Sequence, residues 1–384
     1  MSQSVDNRSV DAQFMHRALE LARRGKYTTT PNPCVGCVIV RDNKIIGEGW
    51  HKKAGTPHAE SNAIADAGGE AAVAGATIYL TLEPCHHFGR TPPCVDALIR
   101  ARVARVVVAM VDPNPQVGGK SLEKLRAAGI ETAVGLMEKE ARDLNRGFLS
   151  RMENGRPFVV MKSAMSIDGR TAMASGESKW ITREAARTDV QRLRAQSCAI
   201  VTGIGTVLAD NPSLTVRKEL LGDELPETFS RQPLRLILDS QLRIPLDAKI
   251  LHELGDVMVV CGEITPAVSD KAEQLVNLGA AVVSLPNVAS QIDLPSVLFM
   301  LAQREINQLM VEAGSKLSAA FVEQNLVDEW IIYMAPTLLG ASAKPLLDFS
   351  IEKMANQRRL SIQSVESVGD DWKITGQFFK KICE

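Results

Sequence analysis

The chain has 384 residues, with 44 Lys and Arg set against 45 Asp and Glu, a formal net charge of -1. That length exceeds one ordinary hydrophobic core and predicts two domains. The charge balance excludes the broad basic field of a general nucleic-acid binder and leaves room for a few local arginines around a small phosphorylated substrate. Seven scattered cysteines do not read as a disulfide framework, residues 1–10 carry no apolar export run, and no stretch of eighteen apolar residues occurs. The expectation is a cytoplasmic protein that binds neither membrane nor nucleic acid.

Asp11 reads as the N-cap of a first helix whose apolar face is Phe14, Met15, Ala18, Leu19 and Ala22, with Gly25 as its stop. The loop Thr30-Pro31-Asn32-Pro33 leads into strands predicted over 35–40 and 45–50, joined by a turn at Arg41-Asp42-Asn43-Lys44. Asn32 is a candidate for reading a base edge, because its amide both donates and accepts; its plainer reading is a turn former before proline.

Pro57-His58-Ala59-Glu60 opens a helix predicted over 59–67, a strand over 77–82 delivers Glu83-Pro84-Cys85, and Pro93 starts the helix that carries Cys94. One His and two Cys make a three-ligand set for tetrahedral zinc that leaves the fourth position for water, which points to catalysis; four protein ligands would point to structure. Two thiolates formally neutralise the dication, so a carboxylate has to supply basicity. Glu60, two residues after His58, is the natural general base and proton shuttle. Cysteines at helix starts are expected to have lowered thiol pKa values. Each ligand taken alone reads as a small buried side chain; the combination with Pro57, Glu60 and Pro84 carries the assignment. The constellation matches the zinc base deaminases, except that eight residues separate the cysteines where two are usual. His86 and Arg90 in that longer loop become candidates to line a pocket. Two rivals stand beside this reading: a nucleic-acid base deaminase with an accessory domain, and a structural-zinc module with His86 or His87 as fourth ligand.

A buried strand over 103–110, a polar loop over 111–115, a strand over 130–134 and a helix over 137–148 follow. Asn154-Gly155-Arg156-Pro157 then breaks the pattern, giving domains over 1–153 and 154–384. The second half opens with a strand over 158–161 and the loop over 175–182, then a helix over 183–195 and a strand over 198–202. That strand runs into Gly203-Ile204-Gly205-Thr206-Val207-Leu208-Ala209-Asp210, where small residues let backbone amides approach a phosphate. It is not the dinucleotide fingerprint, because Leu208 stands at the third small position, and a simple tight turn fits as well. A second junction, Val311-Glu312-Ala313-Gly314-Ser315-Lys316-Leu317, joins a strand over 308–312 to a helix over 317–324. Arg194, Arg217, Arg235 and Arg243 are spread among the loops, one or two of them as phosphate ligands. Strands over 234–238, 257–261 and 329–334 complete an α/β domain.

These motifs, in this order over nearly the whole chain, resemble the bifunctional riboflavin-biosynthesis deaminase–reductases. The resemblance rests on Thr30 through Gly36, His58-Ala59-Glu60, Glu83-Pro84-Cys85 and Gly89-Arg90-Thr91-Pro92-Pro93-Cys94 in the first half. In the second it rests on Ser166-Ile167-Asp168-Gly169-Arg170-Thr171-Ala172, Gly203 through Asp210 and Val311-Glu312-Ala313-Gly314. It implies an N-terminal cytidine-deaminase-like three-layer α/β/α domain and a C-terminal dihydrofolate-reductase-like α/β domain. The first would deaminate a phosphoribosylated diaminopyrimidinone, with His58, Cys85 and Cys94 on zinc and Glu60 catalytic. The second would use NADPH to reduce the ribosyl chain to ribityl. Ala164, Trp180, Thr206, Asp210, Ser240 and the turn Gly314, Ser315, Lys316, Leu317, Ser318, Ala319 and Ala320 would contact NADPH. Ser178, Arg194, Leu214, Arg217 and Glu312 would contact the substrate, and the resemblance favours a homodimer through the second domain. Two departures from the family pattern are Asn211 after Asp210 and Ala313 before Gly314.

Overall fold

The computed structural model describes residues 7–86, 93–114, 117–227, 229–288 and 291–379. The chain divides into two compact units, Met1–Gly155 and Arg156–Glu384.

In the first unit a five-stranded sheet runs in the order Lys44–Trp50, Gly36–Arg41, Thr77–Leu80, Arg105–Val108, Glu131–Val134. The first three strands pair antiparallel and the last three parallel. Side chains alternate across a strand, and here both faces are apolar. Cys37, Ile39, Ile78, Leu80, Val106 and Val108 pack on one side with Ala59, Ala63, Val95, Leu98, Leu122 and Leu125 from the helices Ala59–Asp66, Cys94–Arg100 and Lys120–Ala127. Val38, Val40, Tyr79 and Val107 pack on the other with Met15, Ala18 and Leu19 of the helix Asn7–Arg23. The result is the expected three-layer α/β/α arrangement. Asp42 and Asn43 take φ values of 50° and 57° in the hairpin turn between the first two strands, as a two-residue turn matched to strand twist requires.

Two local expectations are corrected. Asp11 is not a cap: the helix begins at Asn7, and the Asp11 carboxylate instead accepts from Arg105 Nη2 at 2.9 Å and from the Tyr79 hydroxyl. The single helix expected over 137–148 is two, Glu138–Leu144 and Arg146–Asn154. At the junction the Asn145 amide accepts from Cys34 N at 2.7 Å and donates to Cys34 O at 3.0 Å, a long-range tie that outcompetes helix continuation.

The second unit is built on a nine-stranded sheet. Its order is Ala281–Ser284, Val257–Cys261, Leu234–Leu238, Ala199–Gly203, Gln308–Val311, Phe158–Ser166, Glu329–Ala335, Asp371–Phe378, Leu360–Val368. The first seven strands are parallel, and the last two form an antiparallel hairpin on the edge. Val159, Val201, Leu236 and Val311 face the helices Leu294–Gln303 and Ser315–Glu323, whereas Val160, Ile200, Ile237 and Met310 face Glu184–Gln196 and Pro266–Asn277. Such double coverage explains why these strands read as continuous apolar runs. Arg235 does not join the loops as expected. It is fully buried on its strand, where Nη2 donates to Glu253 O at 2.8 Å and Gly255 O at 2.6 Å. Among the described residues, no helix is long and apolar enough to cross a membrane.

Candidate active sites

In the first unit the helix Ala59–Asp66 begins immediately after His58, whose extended backbone makes it the N-cap residue. Cys85 arrives on the loop that follows Thr77–Leu80. That loop is anchored by buried Glu83, which accepts from Gly119 N at 2.9 Å, Ser121 N at 3.1 Å and Asp112 N at 3.2 Å, tying it to the start of the helix Lys120–Ala127. Cys94 opens its own helix after Pro93. The three donor atoms lie within 4.8 Å of one another. His58 Nδ1 is 3.6 Å from Cys85 Sγ and 3.3 Å from Cys94 Sγ. Zinc bond lengths and a tetrahedral angle require a nitrogen-to-sulfur separation of about 3.6 Å, so this donor set fits the ion with little movement.

Glu60 is buried beside this cluster, its carboxyl in hydrogen-bond contact with Cys94. Before any metal charge is counted, burial first and the Cys85 sulfur second push that carboxyl above its ordinary value. The hydrogen bond from Cys94 and then His58 hold Cys85 down toward the thiolate, while the same bond and burial push Cys94 up. The Cys94 amide also donates to Cys85 Sγ at 3.4 Å. The helix start thus places a backbone donor on the neighbouring sulfur.

Asn32 approaches through His51: its Nδ2 lies 3.0 Å from His51 Nε2, and the His51 ring meets the His58 ring edge-on at 5.3 Å. Burial, chiefly, lowers the His51 pKa, which favours the neutral ring. Sequence spacing gave His51 no role, because it lies on no recognisable metal or acid–base pattern. His86 follows Cys85 and is half-buried, whereas Arg90 lies outside the described residues.

In the second unit the carboxyl ends of the parallel strands open onto a cleft of about 1330 Å³, where ligands bind in open α/β sheets. Most of the expected reductase residues line it: Ala164, Ser178, Trp180, Thr206, Asp210, Leu214, Arg217, Ser240, Gly314 through Leu317, and Ala320. Ser318 and Ala319 do not; both belong to the buried side of the helix Ser315–Glu323. The segment expected as a phosphate turn is a short helix, Ile204–Asp210, with Gly203 extended before it. Gly314 N donates to Thr206 Oγ1 at 3.1 Å, which brings the two glycine-containing junctions together.

Glu312 sits among cations at the end of its strand. Arg194 donates to it through Nε at 3.0 Å and Nη2 at 2.8 Å, and Lys162 Nζ lies 3.2 Å away. Burial alone would raise this carboxyl, but Arg194 and Lys162 outweigh it and hold the pKa at about 2. Arg194 also donates from Nη1 to Thr215 O at 2.9 Å, so its guanidinium is committed to protein partners on every nitrogen. Arg217, by contrast, is exposed at the cleft, with no side-chain partner among the described residues.

Fold and sites together define a two-domain deaminase–reductase. A family model described as the cytidine and deoxycytidylate deaminase zinc-binding region matches residues 8–110, and one for the RibD C-terminal domain matches residues 157–374. The chain is 48% identical over 378 residues to the riboflavin biosynthesis protein RibD of Haemophilus influenzae, covering 96% of this chain and 97% of that protein. It is 47% identical over 366 residues to the Escherichia coli RibD, covering 94% and 97%. Among solved structures, Acinetobacter baumannii RibD superimposes with a TM-score of 0.89 at 47% identity, covering 97% of this chain and all of that one. A Thermotoga maritima diaminohydroxyphosphoribosylaminopyrimidine deaminase/5-amino-6-(5-phosphoribosylamino)uracil reductase gives 0.83 at 31% identity, covering 97% of this chain and 100% of that one. The chain belongs to the RibD family of bifunctional deaminase–reductases of riboflavin biosynthesis.

Proposed function

We propose that the first unit removes the exocyclic amine of 2,5-diamino-6-(5-phosphoribosylamino)pyrimidin-4-one and that the second then reduces the ribosyl chain of the product to ribityl. The observation that carries the first half is the convergence of His58 Nδ1 with two cysteine sulfurs beside a buried carboxylate. Zinc held by His58, Cys85 and Cys94 would supply a Lewis acid that acidifies a water. Glu60, buried and shifted toward proton uptake, takes one proton of the attacking water to the ring nitrogen, then takes the proton of the hydroxyl added to the ring carbon and gives it to the amine, so that the C–N bond breaks, the carbonyl forms and ammonia leaves. Asn32 and His51, linked to each other beside His58, are placed to hold the ring edge, with His86 and Arg90 as further candidates.

In the second unit NADPH would supply the hydride. Strand ends, Trp180, Gly314 through Leu317 and Ala320 form the walls against which cofactor and sugar are aligned, and alignment is the main source of rate in such a step. Glu312, fixed by Arg194 and Lys162, orients the sugar together with Ser178 and Leu214, and exposed Arg217 meets the phosphate. Arg194 braces Glu312 and borders the same cleft, where the second N–H of Nη1 or Nη2 contacts substrate. The protein acts in the cytoplasm on small molecules and not on nucleic acid. A homodimer through the second unit is supported by the exposed Ile362, Val365 and Trp372 on the edge hairpin.

The test is an assay on purified protein with the diaminopyrimidinone phosphoriboside, following ammonia with and without NADPH alongside zinc content. Ammonia in both cases, NADPH oxidation only after deamination, and about one zinc per chain are expected. Zinc with neither ammonia nor NADPH oxidation contradicts the substrate assignment.

A further inference from the structure

The segment Leu214 to Arg217 borders the reductase cleft outside any helix or strand, so its backbone groups find partners elsewhere. Leu220 N donates to Arg217 O at 3.2 Å, and the other partners are side chains. Gln232 Oε1 accepts from Val216 N at 2.7 Å, and its Nε2 donates to Val216 O at 3.1 Å, as a neighbouring strand would. Gln191 Oε1 accepts from Arg217 N at 2.9 Å, and Arg194 Nη1 donates to Thr215 O at 2.9 Å. Leu214 and Val216 turn inward and are buried, and Arg217 turns outward. Leu214 has a φ of 51°, a backbone state uncommon for a branched residue, so the bend preceding this strap has to be imposed by its surroundings.

The two glutamines are themselves held. Gln191 is buried on the helix Glu184–Gln196, one turn before Arg194. Gln232 lies between Pro233 and Arg231, and Arg231 donates to Ala195 O at 2.7 Å and Ser197 O at 2.6 Å, pinning its neighbour to the end of the same helix. Gly255 admits Gln232 closely: a Cβ built on it would lie 2.6 Å from the Gln232 Cβ.

We infer that Gln191 and Gln232 are positioning residues of the reductase, clamping the backbone of Val216 and Arg217 so that the Arg217 guanidinium is presented to the phosphate of the substrate. The inference rests on the reading of Arg217 as the phosphate ligand. Neither glutamine touches substrate in this scheme; each acts through the strap. Because Arg194 grips Thr215 with one nitrogen and Glu312 with two, the helix Glu184–Gln196 sets both the strap and Glu312.

The experiment compares Gln232→Leu, Gln191→Leu and Arg217→Ala in full-length enzyme, with the deaminated phosphoriboside and with its dephosphorylated riboside as reductase substrates. Loss of hydrogen bonds that place a charged ligand predicts a rise of about tenfold in KM for the phosphorylated substrate in both glutamine variants, with kcat and the NADPH KM within about twofold of wild type. On the riboside all four proteins should share one KM. Combining Gln232→Leu with Arg217→Ala should raise KM no further than Arg217→Ala alone. If Arg217→Ala raises the phosphate-dependent KM and neither glutamine variant does, the inference is wrong. If the glutamine variants lower kcat and weaken NADPH equally, they are general structural residues, and the inference is also wrong. If Arg217→Ala leaves the preference for the phosphorylated substrate intact, the underlying reading of Arg217 fails. Should Gln232→Leu not fold, Gln191→Leu, which removes a single bond to the strap, makes the same comparison.

Discussion

Arg194 and Glu312, 118 residues apart in the chain, meet through two parallel hydrogen bonds of 3.0 and 2.8 Å at the floor of the reductase cleft. Both side chains are largely buried, at 12% and 16% exposure. Removing one partner of such a pair leaves a charge without its counter-ion, at a cost of about 3–5 kcal/mol; Lys162, still beside Glu312, places the effect at the lower end. Arg194→Met should therefore destabilise the second unit by about 3 kcal/mol and abolish most reduction, while ammonia release persists. Urea unfolding and the two separate activity assays check this.

The same cluster predicts a pH signature. Glu312 is depressed from its ordinary value to about 2, so the stability its charge contributes is fully present above about pH 4.5 and is lost as pH falls toward 2. Glu312→Gln removes that contribution. The gap in melting temperature between wild type and Glu312→Gln should be widest near neutrality and should narrow below about pH 4.5. A gap that is constant from pH 7 to pH 3 would show that Glu312 is not held ionised by its neighbours.

Gly49 lies against the backbone of the helix that His58 and Glu60 begin. A Cβ on Gly49 would come within 2.4 Å of both Ala59 O and Ala63 N, backbone atoms that cannot rotate away. Gly49→Ala should push that helix off its sheet, costing about 1–3 kcal/mol as overpacking does, and should weaken zinc retention with it. Thermal unfolding and metal analysis after dialysis report the two effects.

Cys94→Ser keeps the helix start but exchanges a soft thiolate for a hydroxyl. The account predicts loss of bound zinc and of ammonia release, with NADPH oxidation on the deaminated substrate retained. Metal analysis beside the reductase assay decides it; zinc bound at wild-type level would remove Cys94 from the ligand set.

Much of this was readable from residues alone, for physical reasons. His58, Cys85 and Cys94 each stand beside a proline or a helix start, and short-range rules locate such positions. The strands Leu234–Leu238 and Val257–Cys261 appear as apolar runs because helices cover both faces. The break at Asn145 was not readable, since its cause is the backbone of Cys34, 111 residues away. Nor was the pairing of Arg194 with Glu312, because the two stand 118 residues apart in the chain. The edge hairpin Leu360–Val368 and Asp371–Phe378 also escaped notice, its mixed exposure giving no clear alternation. Side chains that serve backbone, such as Gln191 and Gln232, leave no pattern in sequence because their partners are fixed only by the fold.

The central claim is that two separate sites act in a fixed order, with Glu60 moving the protons of the first step. Glu60→Gln, a near-isosteric change, tests it most directly when given the aminated phosphoriboside and the deaminated one in parallel with NADPH. The account predicts full zinc content, ammonia release slowed by at least about 10²-fold, no NADPH oxidation on the aminated compound, and wild-type NADPH oxidation on the deaminated one. Ammonia release at the wild-type rate, or NADPH oxidation by the variant on the aminated compound, would contradict it.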